Sequence, residues 1–288
     1  MLGLDKPWNH DREQIRQLHH AHADHIESLY ASLQSLPGNP HGAVIQGVGN
    51  VRTFLTQGNR WENRPIFHGD ETIEQIDEVL SHFSRHQAGC VIEINIANSY
   101  VDPPRNWEPR LLPHLLSRGC KTGGMRCVWY YDDALTVPEK TADCRIERFL
   151  PEGIGEYAEL ALRADPSDQW TPERYAVEGR PGLVHYAGVN PRQQPCAFGS
   201  MFIKGPIAYL SYWETRREFR GRGFQQAGIR QRVADAFNFF GCNFVFTVSD
   251  YNFASSRNLQ RCGFKLAYNY LVVTREPIPL DDRLKTHS

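Results

Sequence analysis

The densest chemistry in the chain lies in ten residues, Arg216-Arg-Glu-Phe-Arg-Gly-Arg-Gly-Phe-Gln225. They stand between a strand-like run and an amphipathic segment that begins at Phe224. Glycines at 221 and 223 let the backbone approach a ligand closely, and the first N–H groups of a following helix have no intrahelical acceptor. Such donors at the positive end of a helix favour a phosphate. Six arginines between 216 and 232 (Arg216, Arg217, Arg220, Arg222, Arg230 and Arg232) make this stretch locally positive. The plainer alternative is a Gly-containing strand–helix turn carrying solvated arginines. A second cluster, His19-His-Ala-His22-Ala-Asp24-His25, places His22 with His19 or His25 on one helical face. No third spaced ligand follows, so a solvated His-rich helix is expected there and no metal site. The seven cysteines are scattered and never form Cys-x-x-Cys, which points to packed thiols rather than disulfides or structural zinc.

These groups belong to a chain of 288 residues, room for one large domain or two of about 140. Hydrophobic residues make up 41% and charged residues 23%, an ordinary globular balance rather than a disordered one. Thirty-two Lys and Arg stand against 33 Asp and Glu, so the broad positive field of a non-specific nucleic-acid binder is missing. No apolar run approaches the ~20 residues that span a bilayer, and Met1 to His25 lacks the apolar core of a secretory signal. The expectation is a cytoplasmic protein with neither nucleic-acid nor membrane partners.

Periodicity places the elements that must position the arginine–glycine stretch. Helical spacing covers Ile15–Leu36, Glu71–His86, Leu111–Arg118, Ile154–Ala164, Pro172–Val177, Phe224–Phe240 and Phe253–Cys262. Strand-like runs cover Ala43–Leu55, Cys90–Ile96, Met125–Tyr131, Cys144–Leu150, Val184–Val189, Cys196–Ile203, Ile207–Thr215, Phe244–Val248 and Phe264–Val273. Antiparallel-type strands followed by strand–helix–strand–helix–strand predict a mixed α/β layer fold, α+β in its sheet. The stretch Asp132–Asp143, charged and carrying Pro138, reads as a linker. Leu115-Leu-Ser-Arg-Gly119-Cys120-Lys121 and Leu259-Gln-Arg-Cys-Gly263-Phe264-Lys265 echo each other half a chain apart, each with Leu four residues before a helix-ending Gly. Each echo follows a helix–strand pair, which predicts two tandem domains of one fold. The boundaries expected are 1–135 and 142–275, with a tail at 276–288.

Arg220-Gly-Arg-Gly223-Phe-Gln225, with Asn252-Phe-Ala-Ser255, Leu259 and Gly263-Phe264 downstream in order, resembles the GNAT acetyltransferase superfamily over roughly residues 144–273. The resemblance implies a C-terminal domain that binds acetyl-coenzyme A, or another acyl-coenzyme A, through Thr215, Arg217, Arg220, Gly221, Arg222, Gly223, Phe224, Gln225, Asn252 and Ser255. Gln225 stands where the family has a small residue. Leu259 stands where it often has a Tyr acid, so Ser255 is the hydroxyl implied nearest the coenzyme sulfur. The first half has Glu71-Thr-Ile-Glu-Gln-Ile-Asp at the place of the coenzyme loop, and its carboxylates would repel a pyrophosphate. It is therefore expected to be a degenerate partner domain that walls the acceptor pocket.

The resemblance implies direct transfer of an acetyl or other acyl group to the amine of a small, amino-acid-like acceptor, by a monomer or homodimer. The amine must be neutral to attack, so a base is needed. Glu214 is the candidate, against the alternative of an edge-strand carboxylate paired with Arg216 or Arg217. Tyr212 and Asp250 are weaker candidates, and His185 reads as structural. Two other functions fit the same residues. One is a non-catalytic acyl-coenzyme A-binding regulatory module. The other is a GNAT-fold enzyme of altered chemistry, decarboxylating or taking its acyl group from a carrier protein.

Overall fold

A computed structural model describes residues 12–57, 63–67, 71–95, 108–133, 145–251 and 253–277. Most of the expected linker, Cys144, Trp107, Asn252 and most of the expected tail lie outside the described residues. The chain divides into two compact units, one containing residues 127–267 and the other residues 10–126 with 268–288. Neither unit follows the expected linear boundary. The chain passes from one unit to the other inside strand β5 (Lys121–Tyr131) and again inside β11 (Lys265–Arg275). Near its crossing β11 has no Pro or Gly, whereas β5 carries Gly123-Gly124 just before its own, inside one unbroken strand.

The unit containing residues 10–126 begins with α1 (Arg12–Gln34), which carries Leu18, Ile26, Tyr30 and Leu33 on its buried face. The expected single strand over 43–55 is instead a hairpin, β1 (Val44–Val48) and β2 (Val51–Leu55), in register Val48↔Val51. Gly49, at φ 60°, opens its two-residue turn. A short third strand, β3 (Arg64–Ile66), pairs with β2 and was not expected. Helix α2 (Ile73–Arg85) packs Ile76, Val79, Leu80 and Phe83 into a core shared with Ile92 and Ile94 of β4 (Cys90–Asn95) and Leu111 and Leu115 of α3 (Glu108–Ser117). The last part of β11 pairs antiparallel with β4, from Tyr270↔Asn95 to Arg275↔Cys90.

Against expectation, the histidine-rich helix is not simply solvated. His22 lies 3.8 Å from Glu93, which Arg64 also pairs at 3.1 Å, and burial pushes the His22 pKa down to about 4. Neutral His22 therefore tolerates the interior, where a charged imidazolium would be costly.

In the other unit the sheet order is β5-β10-β9-β8-β7-β6, with β6 (Arg145–Phe149), β7 (Leu183–Val189), β8 (Pro195–Lys204), β9 (Ile207–Thr215) and β10 (Phe244–Asp250). Strands β6 to β9 form an antiparallel meander, and β10 joins β9 in parallel. The helices of this unit are α4 (Ile154–Ala164), α5 (Pro172–Glu178), α6 (Phe224–Asn238) and α7 (Ala254–Arg261), and α6 is the crossover that links β9 to β10. The core joins Val184, Tyr186, Met201 and Leu210 from the sheet to Ile229, Val233 and Ala236 of α6 and Leu259 of α7. Trp129 of β5 is buried, and its indole donates to Ser249 Oγ at 2.9 Å.

The two echoed helix ends adopt the same geometry. Gly119 and Gly263 take φ 80° and 86°. Cys120 N–H donates to Leu115 O and Phe264 N–H to Leu259 O, each at 3.0 Å, the bond that closes a left-handed C-terminal cap. Among the described residues no helix is long and apolar enough to cross a membrane.

Strand β9 is the element that opens the site. Its parallel pairing with β10 runs from Ile207↔Phe244 to Leu210↔Thr247. Pairing with β8 continues to Thr215↔Ala197, but two β9 residues, Leu210 and Ser211, stand against Met201 alone. That bulge increases local twist and turns the strand end. Trp213 holds the turned end against the unit. Its ring lies against Gly199 of β8 and Gly228 of α6, where an added Cβ would penetrate the ring. Gly228→Ala should therefore destabilise the protein by about 1–3 kcal/mol through overpacking. Urea denaturation reads the effect, and an unchanged midpoint would contradict this packing.

Candidate active site

The end of β9 and the start of α6 meet in a groove of about 470 Å³. Six of the expected coenzyme residues line it, namely Thr215, Arg220, Gly221, Gly223, Phe224 and Gln225. Gly221 and Gly223 take φ 77° and 82°, the left-handed region that costs an ordinary side chain about 1–2 kcal/mol. Gly223 is the N-cap of α6, with no side-chain cap and no acidic residue in the first turn. The helix therefore presents its first N–H groups uncapped by any side chain. Helix α2 in the other unit contrasts with this. Thr72 and Gln75 close its N-terminus with a capping box, and Glu74 adds a carboxylate to its first turn. The first helix end leaves N–H donors without a side-chain cap, whereas the second is closed by its own side chains.

Three expected residues take other places. Arg217 lines a second cavity and not the groove. Arg222 is exposed, its guanidinium 5.6 Å from the Phe219 ring centroid. Ser255 is half-buried on α7 and makes no hydrogen bond among the described residues, but Ala254, Asn258 and Arg261 form the helix face in the groove wall. Asn252 lies outside the described residues. The sequence reading passed over Asn258, Gln226 and Arg261. Their i, i+4, i+7 spacing on α7 with Ala254 was the available signal for two of them. Asn258 Nδ2 donates to Gln225 Oε1 at 2.6 Å, and Gln226 Nε2 donates to Asn258 Oδ1 at 3.2 Å. Gln225 thus joins α6 to α7.

Arg232, counted among the positive residues of the motif, is buried behind the strand instead. It donates Nη1 to the carbonyls of Ser200 at 2.8 Å and Tyr212 at 2.9 Å, and Nε to Gly228 O at 3.1 Å. Burial lowers its pKa to about 10, so it remains cationic at neutral pH while anchoring both strands at the bulge.

The open edge of β9 has a definite polarity. Arg216 N–H donates to Cys196 O on β8 at 2.9 Å. Alternation along a strand then directs the Glu214 N–H toward β8, and those of Trp213 and Thr215 toward the splayed edge. Arg220 Nε donates to Thr215 O on that edge at 3.1 Å.

A cavity of about 570 Å³ also adjoins the β9 end, lined by residues of α4, α5, β8 and the segment 212–218. Tyr157, Trp170, Phe198 and Tyr212 form its aromatic walls. Tyr157 packs edge-on against Trp170 and Phe198 at 5.8 Å. None of its lining residues comes from the first half of the chain, where the acceptor wall was expected. Glu214 lines both this cavity and the groove. Its partner is neither arginine considered from sequence. Tyr212 donates its hydroxyl to Glu214 Oε2 at 2.6 Å, while Arg216 pairs with Glu218 at 2.7 Å. Partial burial and the adjacent carboxylate hold the Tyr212 phenol protonated well above the ordinary range. His185 is buried against Tyr157 and bonded to Glu178 O at 2.8 Å, a structural role as expected.

Residues 141–264 match the model of the acetyltransferase (GNAT) family. That stretch belongs to the GNAT family. The likeness of fold extends over almost nine-tenths of the chain. A GCN5-related N-acetyltransferase from Kribbella flavida is 14% identical with a TM-score of 0.57, covering 89% of this chain and 97% of its own. One from Sphaerobacter thermophilus is 15% identical with a TM-score of 0.56, covering 88% and 86%. A tandem GNAT protein from the clavulanic acid biosynthesis pathway is 13% identical with a TM-score of 0.56, covering 89% and 96%. No curated protein matches the chain. The chain has a mixed α/β, tandem GNAT fold, and its GNAT-family stretch contains the groove and all of the cavity lining.

Proposed function

We propose that the protein is an acyl-coenzyme A-dependent N-acyltransferase, acetyl-coenzyme A being the default donor, acting on a small-molecule amine. The observation that carries this reading is the place of Glu214, on a splayed strand and in the walls of both the coenzyme groove and the aromatic cavity. In this reading Gly221, Gly223 and the first turn of α6 hold the pyrophosphate, with Arg220 and Arg222 adding positive charge. The donor supplies a thioester, whose carbonyl meets the N–H groups of Trp213 and Thr215 at the open edge of β9. Glu214 accepts the proton of the attacking amine, and the Tyr212 hydroxyl holds its carboxylate in place. The sulfur leaves with a proton affinity near that of an ordinary thiol, so a hydrogen bond suffices in place of a strong acid. Ser255, uncommitted and adjacent to Ala254 in the wall, is the proposed donor of that bond.

Release of free thiol from acetyl-coenzyme A across a panel of primary amines tests the reading. Amine-dependent release is expected. Tight coenzyme binding with no release for any amine would instead identify a regulatory module, and release only with a loaded carrier protein would identify the altered chemistry.

A further inference from the structure

The aromatic cavity differs from the groove in its charges, and those charges define a class of acceptor. Of its three arginines, Arg174 is paired with Asp168 and Arg216 with Glu218. Asp165 accepts hydrogen bonds from the Ser167 N–H and hydroxyl. Two charged groups are left for a ligand. Arg217 has no ion-pair partner among the described residues, and Glu214 is held only by the Tyr212 hydroxyl. Around them stand four aromatic rings, in a volume that suits a metabolite-sized ligand.

We propose that this cavity takes an aromatic or bulky apolar amino-carboxylate, with its amine at Glu214, its carboxylate on Arg217 and its apolar body among Tyr157, Trp170 and Phe198. This rests on the acyl-transfer reading for the fate of the amine, but not for binding. Each part of the ligand answers a different feature. A guanidinium binds a carboxylate through charge-assisted hydrogen bonds. The rings offer area for an apolar body. Over its whole lining the cavity carries four carboxylates, Asp165, Asp168, Glu214 and Glu218, against three arginines, a negative balance that disfavours a phosphorylated or otherwise polyanionic acceptor.

The test uses the full chain and three probes, L-phenylalanine, phenethylamine and L-alanine. Calorimetry without coenzyme A is expected to show phenylalanine binding at least about tenfold tighter than either of the others. Arg217→Ala should erase the advantage over phenethylamine and leave phenethylamine binding unchanged. With acetyl-coenzyme A present, the same order should appear in kcat/KM for thiol release. Equal or tighter binding of phenethylamine by the wild type overturns the assignment of Arg217. Equal binding of alanine overturns the assignment of the aromatic walls. Equal loss for both aromatic probes in the variant shows that Arg217 acts on the fold and not on a carboxylate, and also overturns it. Preferred binding of phenylalanine with no thiol release for any amine would leave this inference standing and sink the acyl-transfer reading. Thiol release confined to amines outside the class would do the reverse.

Discussion

Gly223→Glu is expected to weaken coenzyme A binding by about a hundredfold or more while the protein remains folded. Gly223 caps α6 at φ 82°, and no heavy atom lies within 4 Å of the position a Cβ would occupy. A Cβ there meets no steric obstacle, so the cost of adding one is left-handed backbone strain of about 1–2 kcal/mol. The carboxylate adds the larger effect. At about 5 Å from a phosphate charge and an effective dielectric near 20, the repulsion is ~3 kcal/mol. The uncapped first turn of α6 also becomes a poorer anion site once a neighbouring carboxylate competes for its N–H groups. Gly223→Ala separates the two contributions, since it carries the strain without the charge and should lose no more than about tenfold. Calorimetric titration with coenzyme A reads both variants. Unchanged affinity in Gly223→Glu would show that the pyrophosphate lies elsewhere.

Glu214→Gln is expected to lower kcat by about 10²–10³ at neutral pH, within the range for loss of a general base, with coenzyme A affinity preserved. The amide keeps the size of the side chain and an oxygen that still accepts from the Tyr212 hydroxyl, so the local geometry is retained. What it loses is the capacity to take a proton. An α-amino group has an ordinary pKa near 8, so its neutral fraction rises as pH climbs from 7 toward that value. If the carboxylate removes the proton that the amine sheds on attack, the deficit should shrink as solvent hydroxide replaces it at higher pH. A pH–rate profile of both proteins measures this. A deficit below threefold, or one that is flat with pH, would assign the proton to another group.

Some elements were legible from the sequence because their causes are local. The helix over 154–164 and the strand over 207–215 match their expected bounds, since periodic apolar residues and flanking turns define both. The two echoed helix ends were readable for the same reason, as a left-handed glycine four residues after a buried leucine is a one-turn motif. The hairpin at 44–55 was passed over although Gly49-Asn50 was its signal. The short strand at 64–66 carried no signal of its own, because three residues are too few to show a period.

The candidate site divides in the same way. By itself the sequence determined the glycine turn and helix start proposed to hold the coenzyme, because positive-φ glycines and the start of a helix are properties of consecutive residues. It also placed Thr72, Glu74 and Gln75 at the start of α2, and the residues that close that N-terminus are neighbours along the chain. Tertiary structure alone decided the rest. Arg216, Arg217, Arg220 and Arg232 look alike in a string of letters, yet Arg216 pairs with Glu218, Arg217 lines the aromatic cavity with no ion-pair partner among the described residues, Arg220 donates to Thr215 O and Arg232 is buried behind β9. Arg216 and Arg220 find their partners within five residues, but Arg232 reaches Ser200 of β8 and Tyr212 of β9, and Arg217 lines a cavity shared with α4, α5 and β8, which packing alone decides. The cavity itself draws Tyr157, Trp170, Phe198 and Tyr212 from four separate segments, and the units exchange chain inside unbroken strands. A charge or a ring acquires its role from the neighbours that desolvate or pair it, and those neighbours are set by the fold.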